Sequence, residues 1–176
     1  MRHRPESRHD RYEAKSASAK RLPVSVVTVN FMCDGNLGFI IRAMACFGSE
    51  NLHVIGSVPS PAELSRLSGG LNRYTTIHQH KYPTDVVKFA RDNDMYLVSA
   101  ELTEQSISVH NTILPQNKQI LLVLGHEETG VPTEMLHQSD LIVHIPMPGV
   151  GYCLNTSQTG NILLYEISRR LNPQCP

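Results

Sequence analysis

Apolar, β-branched runs alternate along this chain with segments of helical period, and that alternation leaves few folds open. Val24-Ser25-Val26-Val27-Thr28-Val29 has the character of a buried strand. A polar turn over residues 30–35 leads to a helical stretch over 36–48, with Asn36 as its expected N-cap and Gly48 as its stop. Further strands are expected over 51–56, 95–100, 119–124 and 141–145, and helices over 61–67, 83–92, 132–138 and 155–171. In the last helix Gly160, Leu163, Leu164, Ile167 and Leu171 form one apolar face, and Ile162 and Tyr165 lie off it. Strands alternating with helices predict an α/β domain, a mainly parallel sheet with helices on both faces.

At 176 residues the chain has room for one domain of ordinary size. Zero Trp and 6% aromatic residues mean that Val, Ile, Leu and Met must build the core. No apolar run approaches the 18 or so residues of a membrane span, so no membrane partner is expected. The zero net charge hides an asymmetry: residues 1–21 hold seven Lys/Arg against three acids, and the rest of the chain is correspondingly acidic. We therefore expect a basic N-terminal tail over 1–21, with an affinity for polyanions, ahead of a domain over 22–176. With no signal-peptide core, the expected location is cytoplasmic.

Cys33, Cys46, Cys153 and Cys175 form no C-x-x-C pair, and neither disulfides nor a cysteine metal site is expected. His126-Glu127 opens like a metalloprotease helix, but Gly130 stands where the second histidine belongs. His78 and His80 would share one strand face; with no third ligand evident, they read as an exposed strand edge rather than a metal pair. No metal is expected.

Three segments carry the chemistry. They are Asn36-x-x-x-x-x-Arg42, then Leu121-Leu122-Val123-Leu124-Gly125-His126-Glu127-Glu128-Thr129-Gly130-Val131, then Ile145-Pro146-Met147-Pro148-Gly149-Val150-Gly151-Tyr152-Cys153-Leu154-Asn155-Thr156-Ser157. No Gly-Lys-Ser/Thr follows Gly125 or Gly130, which excludes a P-loop, and Gly149-x-Gly151 lacks the third glycine of a dinucleotide fingerprint.

In this order and spacing the segments resemble the SpoU/TrmH family of SPOUT methyltransferases, whose pattern is N-x-G-x-x-x-R, G-x-E-x-x-G-[VIL] and I-P-M-x-G-x-x-x-S-L-N-x-S. Asn36, Gly38 and Arg42 match the first motif; Gly125, Glu127, Gly130 and Val131 the second; Ile145, Pro146, Met147, Gly149, Leu154, Asn155 and Ser157 the third. Cys153 departs from it, standing where the family has serine. The resemblance covers residues 22–171 and implies a C-terminal trefoil knot, a topology that default rules exclude. It also implies S-adenosylmethionine as cofactor, transfer of a methyl group to a ribose 2′-hydroxyl of tRNA, with rRNA second, and a homodimer. Expected cofactor contacts are Ala100, Leu124, Gly125, Ile145, Met147 and Leu154; expected catalytic-site residues are Arg42, Asn36, Glu127 and Asn155. A guanidinium with a pKa above about 12 is hard to deprotonate. We therefore read Arg42 as a cation that acidifies the hydroxyl and grips the adjacent phosphate. The alternative reading is a degenerate SPOUT domain that binds RNA or supports a partner without turnover, with Cys153 as its sequence support.

Overall fold

A computed structural model of the chain describes residues 7–172. In chain order the elements are α1 (Arg8–Ser16), β1 (Val24–Val29), α2 (Asp34–Phe47), β2 (Asn51–Ile55), α3 (Pro61–Ser68), β3 (Thr76–His80), α4 (Pro83–Asp92), β4 (Tyr96–Ala100), β5 (Ile107–Ser108), β6 (Ile120–Leu124), α5 (Thr133–Gln138), β7 (Leu141–His144) and α6 (Thr156–Leu171). Seven strands form one sheet in the order β3-β2-β1-β6-β4-β7-β5, and every pairing is parallel. The expected α/β class is the observed one.

The sheet's centre explains the apolar runs. All residues of β1 and β6 are buried, because helices cover both faces. On one face Val24, Val26, Leu122 and Leu124 pack with Ile40, Ile41 and Met44 of α2 and Leu163, Leu164 and Ile167 of α6. On the other, Val27, Val29, Leu121 and Val123 pack with Val86 and Ala90 of α4 and Met135 of α5. Truncating one of these large side chains to alanine costs about 2–5 kcal/mol. Two glycines let helices approach closely. A Cβ on Gly38 would lie 2.5 Å from the Cβ of Leu67, and one on Gly160 would lie 2.4 Å from Ile40 Cδ1 and 2.7 Å from Leu124 Cδ1. Gly38 is thus in the first motif for the packing of α2 on α3.

Two expectations need correction, and two elements were not expected. Asn36 is not the cap of α2: Cys33 occupies that position without a side-chain bond, and Asn36 sits in the first turn. Within the basic segment, α1 forms behind a capping box in which Ser7 and Asp10 bond each other's backbone; residues 1–6, and Cys175, lie outside the described residues. The edge strand β5, two residues paired with β7, has no expected counterpart. Finally, His78 and His80 do have a third histidine beside them. His53 lies opposite His78 on β2, its ring 4.8 Å from that of His78, and its Nδ1 is 2.9 Å from His80 Nε2. His78 and His80 are half-buried, not exposed. Among the described residues, no group of three His, Cys, Asp or Glu is arranged to hold a metal ion, and no helix is long and apolar enough to cross a membrane.

Candidate active site

In open parallel sheets ligands bind beyond the carboxyl ends of the strands, where neighbouring connections diverge. Here β6, β4 and β7 end side by side below a cavity of about 660 Å³. Ala100 closes β4, Leu124 closes β6 with Gly125 following it, Ile145 follows β7, and Met147 and Leu154 come from the loop before α6. All six residues expected at the cofactor line this cavity, together with Glu127 and Asn155.

The turn after β6 is held by its own backbone. His126 and Gly130 exchange N–H···O bonds of 3.0 and 2.9 Å, and Gly130 takes φ +70°. His126 Nδ1 accepts the N–H groups of Glu128 and Thr129 at 3.1 and 3.3 Å. A Cβ on Gly125 would lie 2.3 Å from the Gly130 carbonyl carbon and 2.5 Å from Val131 N, so the turn folds back only over glycine. Thr156 Oγ1 donates to the Gly125 carbonyl at 3.0 Å, tying the start of α6 to the end of β6. Asn155 is the N-cap of α6: its Oδ1 accepts from Ser157 N at 2.8 Å and from Ser157 Oγ at 2.6 Å.

Glu127 reaches away from this turn to α2. Its Oε2 accepts Met32 N–H at 3.0 Å, and its Oε1 accepts Asn36 Nδ2 at 2.6 Å and Cys33 N–H at 3.4 Å. Burial disfavours the charged carboxylate, but the bonds from Met32, Asn36 and Cys33 outweigh it and hold the group below the usual carboxylate range. Glu127 thus anchors the two residues that lead into α2 and the Asn36 side chain in its first turn.

Asn36 and Arg42 do not line the cavity. Asn36 is buried against Glu127, whereas Arg42 is exposed on α2 and has no hydrogen-bond or ion-pair partner among the described residues. One turn before Arg42, on the same helix face, Phe39 is 53% exposed, and on neighbouring α6 Ile162 and Tyr165 are 40% and 54% exposed. The structure thus gathers eight of the ten expected residues around one cavity and leaves the arginine outside it, one turn from exposed Phe39.

A model of the SpoU rRNA Methylase family matches residues 23–165, from the start of β1 deep into α6. The chain belongs to that family. Among SpoU relatives, a tRNA (guanosine(18)-2′-O)-methyltransferase of Escherichia coli (strain K12) is 23% identical over 135 residues, covering 77% of this chain and 58% of that protein. The chain therefore spans somewhat over half the length of that relative. The protein of the same name from Thermus thermophilus is 25% identical over 171 residues, covering 97% and 86%. A crystal structure of an AdoMet-bound rRNA methyltransferase from Sinorhizobium meliloti superposes with a TM-score of 0.76 at 24% identity, covering 86% of this chain and 57% of that one. At that identity the likeness is one of fold.

The motifs did not flag every wall of this SpoU cavity. Glu101, His144, Thr156 and Leu163 also line it. Glu101 and His144 could have been found from position alone, because each stands at the carboxyl end of a strand.

Proposed function

We propose that this chain transfers the methyl group of S-adenosylmethionine to a ribose 2′-hydroxyl of RNA, with tRNA the first substrate class and rRNA the second, and that it works as a two-fold homodimer. The observation that carries the proposal is the split between a cavity built like a cofactor site and an arginine outside it. The cavity's size falls within the range of small-molecule sites, and its walls join apolar Leu124, Ile145, Met147 and Leu154 to backbone at strand ends. Among the described residues no hydrogen bond engages the backbone of Leu154, leaving its N–H and C=O to read a heterocycle edge. These features fit a nucleoside whose base packs on apolar walls and whose charged arm meets polar wall groups. When bound, the cofactor supplies a methyl group on a sulfonium, poised for in-line displacement.

This chain's residues then have three tasks. Leu124, Ile145 and Met147 exclude water, and the turn from Gly125 to Gly130 fixes the cofactor's direction. Asn155 and Glu127 hold α6 and α2 at the cavity's rim. Arg42 stabilises the developing alkoxide on the ribose oxygen and binds the neighbouring phosphate. Phe39, one turn before Arg42, and Ile162 and Tyr165 on α6, which packs against α2, are exposed apolar groups, and a second copy packed on that face would bring its own cavity to this arginine. The contact of Thr156 with Gly125, and of Gly160 with Leu124, supports a knotted C-terminal half in which these loops pack together. The basic segment 1–21 is read as an RNA-contacting arm ahead of the domain. The free thiols of Cys33, Cys46 and Cys153 support a cytoplasmic setting.

Subunit mixing tests the reading. Arg42→Ala and Gly125→Trp chains should each fail to methylate tRNA, while heterodimers formed from both should recover activity at their one intact composite site. Heterodimers without activity would mean that Arg42 serves its own chain's cofactor. Mapping 2′-O-methyl groups in total RNA with and without the gene identifies the substrate.

A further inference from the structure

Among the described residues three carboxylates line the cavity, Glu101, Glu127 and Glu128, and no lysine or arginine does. Glu127 is occupied by the start of α2, and Glu128 is exposed. Glu101 is different. It follows Ala100 at the end of β4 in the middle of the cavity floor and is half-buried. Its Oε2 accepts Val131 N–H at 2.9 Å, and its Oε1 accepts Leu102 N–H at 3.0 Å. These two donors orient the carboxylate but bring no formal charge, and each oxygen keeps a second lone pair. Among the described residues Glu101 forms no ion pair. Two histidines also line the cavity: Nδ1 of His126 accepts the N–H groups of Glu128 and Thr129, and Nδ1 of His144 shares a hydrogen bond with Ser106 Oγ, so neither ring nitrogen is bonded to Glu101.

We propose that Glu101 is a specificity residue that makes this site prefer the cationic cofactor to its neutral product. The inference rests on the S-adenosylmethionine reading above. Methyl transfer breaks the sulfur–methyl bond, forms the ribose oxygen–methyl bond and releases the hydroxyl proton to solvent. The sulfonium's positive charge is gone from the sulfur that remains, which is a thioether. A carboxylate without a cationic partner, fixed by two backbone donors, stabilises the first state and not the second. S-Adenosylhomocysteine is thereby released more readily. The expected preference is about tenfold in affinity, which corresponds to about 1.4 kcal/mol. Glu101 also steadies the turn through Val131, so its test must separate charge from support.

Isothermal titration of the full chain with S-adenosylmethionine and S-adenosylhomocysteine does so. Glu101→Gln keeps an amide oxygen for Val131 N–H and loses the charge. It should weaken the first ligand about tenfold and leave the second within about twofold, while Glu101→Asp keeps the wild-type ratio. In the wild type alone, added salt should erode the preference; in Glu101→Gln the ratio should be flat with salt. Equal losses for both ligands would assign Glu101 to ribose binding or loop support and overturn the proposal. An unaltered ratio in Glu101→Gln, or a wild-type ratio indifferent to salt, would overturn it too. The wild-type salt series decides even if Glu101→Gln folds poorly. A wild type that binds neither ligand refutes the methyltransferase reading itself, an outcome distinct from binding without discrimination.

Discussion

Removing the Glu127 side chain measures how much one carboxylate stabilises the junction between the turn after β6 and the start of α2. It accepts three hydrogen bonds, two from backbone N–H groups and one from the Asn36 amide. Bonds to a charged acceptor contribute about 1.5–3 kcal/mol each where water is excluded. Met32 and Cys33 are exposed, so water replaces most of what their N–H groups lose. Asn36 is 6% exposed and its amide would be stranded, at about 1–3 kcal/mol. Glu127→Ala should therefore destabilise by about 2–3 kcal/mol, lowering Tm by about 5–10 °C for a chain of this size.

Glu127→Gln should cost less, about 1 kcal/mol. The Asn36 amide can rotate to present its oxygen to the new NH2 while the Gln oxygen keeps Met32 N–H. Urea denaturation at fixed protomer concentration gives both values, and a cycle with Asn36→Ala should show a coupling of at least about 1 kcal/mol. The sign with pH is set by the lowered folded-state pKa of Glu127. Its contribution is present above the unfolded value near 4.5 and is lost as pH falls through the lower folded value, so the wild-type and alanine curves should converge in acid. An alanine variant within about 0.5 kcal/mol of wild type, or zero coupling to Asn36, would refute the reasoning.

Cys153→Ser should keep or raise methyl transfer, since Cys153 is exposed at the cavity wall and the two side chains are close in size; a large loss would give the thiol a role of its own. Deleting residues 1–20 should leave cofactor affinity unchanged and flatten the salt dependence of RNA binding, because basic residues there would engage phosphates. An unaltered salt slope in filter binding would remove the tail from the RNA contact. His53, held down to about 4 by burial and by the charges of His78 and His80, binds protons in the unfolded chain before it does so in the folded one. Stability should therefore fall as pH drops from about 6.5 toward 4, with Asp85 partly offsetting the effect at His80, and His53→Asn should flatten the slope.

Local pattern carried most of the fold and stopped where contacts are distant in sequence. The strands read from β-branched runs end within a residue of those observed at β1, β2, β4, β6 and β7, because burial makes each of them predominantly apolar between polar or turn-forming flanks. Nothing local marks β5, whose two residues are strand only by pairing with β7. The same limit explains Asn36. Its position before an apolar helix suggests a cap, but Glu127, far along the chain, supplies acceptors for the helix start, and Asn36 becomes a donor to it. His53 joined His78 and His80 through the register of β2 on β3, which no spacing within either strand reveals.

The motif residues divide along a physical line that bears on assembly. Those in the second and third motifs follow strand ends, and a parallel sheet brings strand ends to one edge, so proximity in space follows from proximity to a strand terminus. Arg42 stands well into α2, on a helix whose other side is fixed by Ile40, Ile41 and Met44 against the sheet. Rotating α2 to turn Arg42 toward its own cavity would lift those three side chains out of the core, at about 2 kcal/mol or more apiece. A shift of that kind is too costly for a turnover cycle. Under the proposed function the cavity that Arg42 serves therefore belongs to a second copy of the chain, and exposed Phe39 on α2 with Ile162 and Tyr165 on α6 are the apolar groups on which that copy would sit.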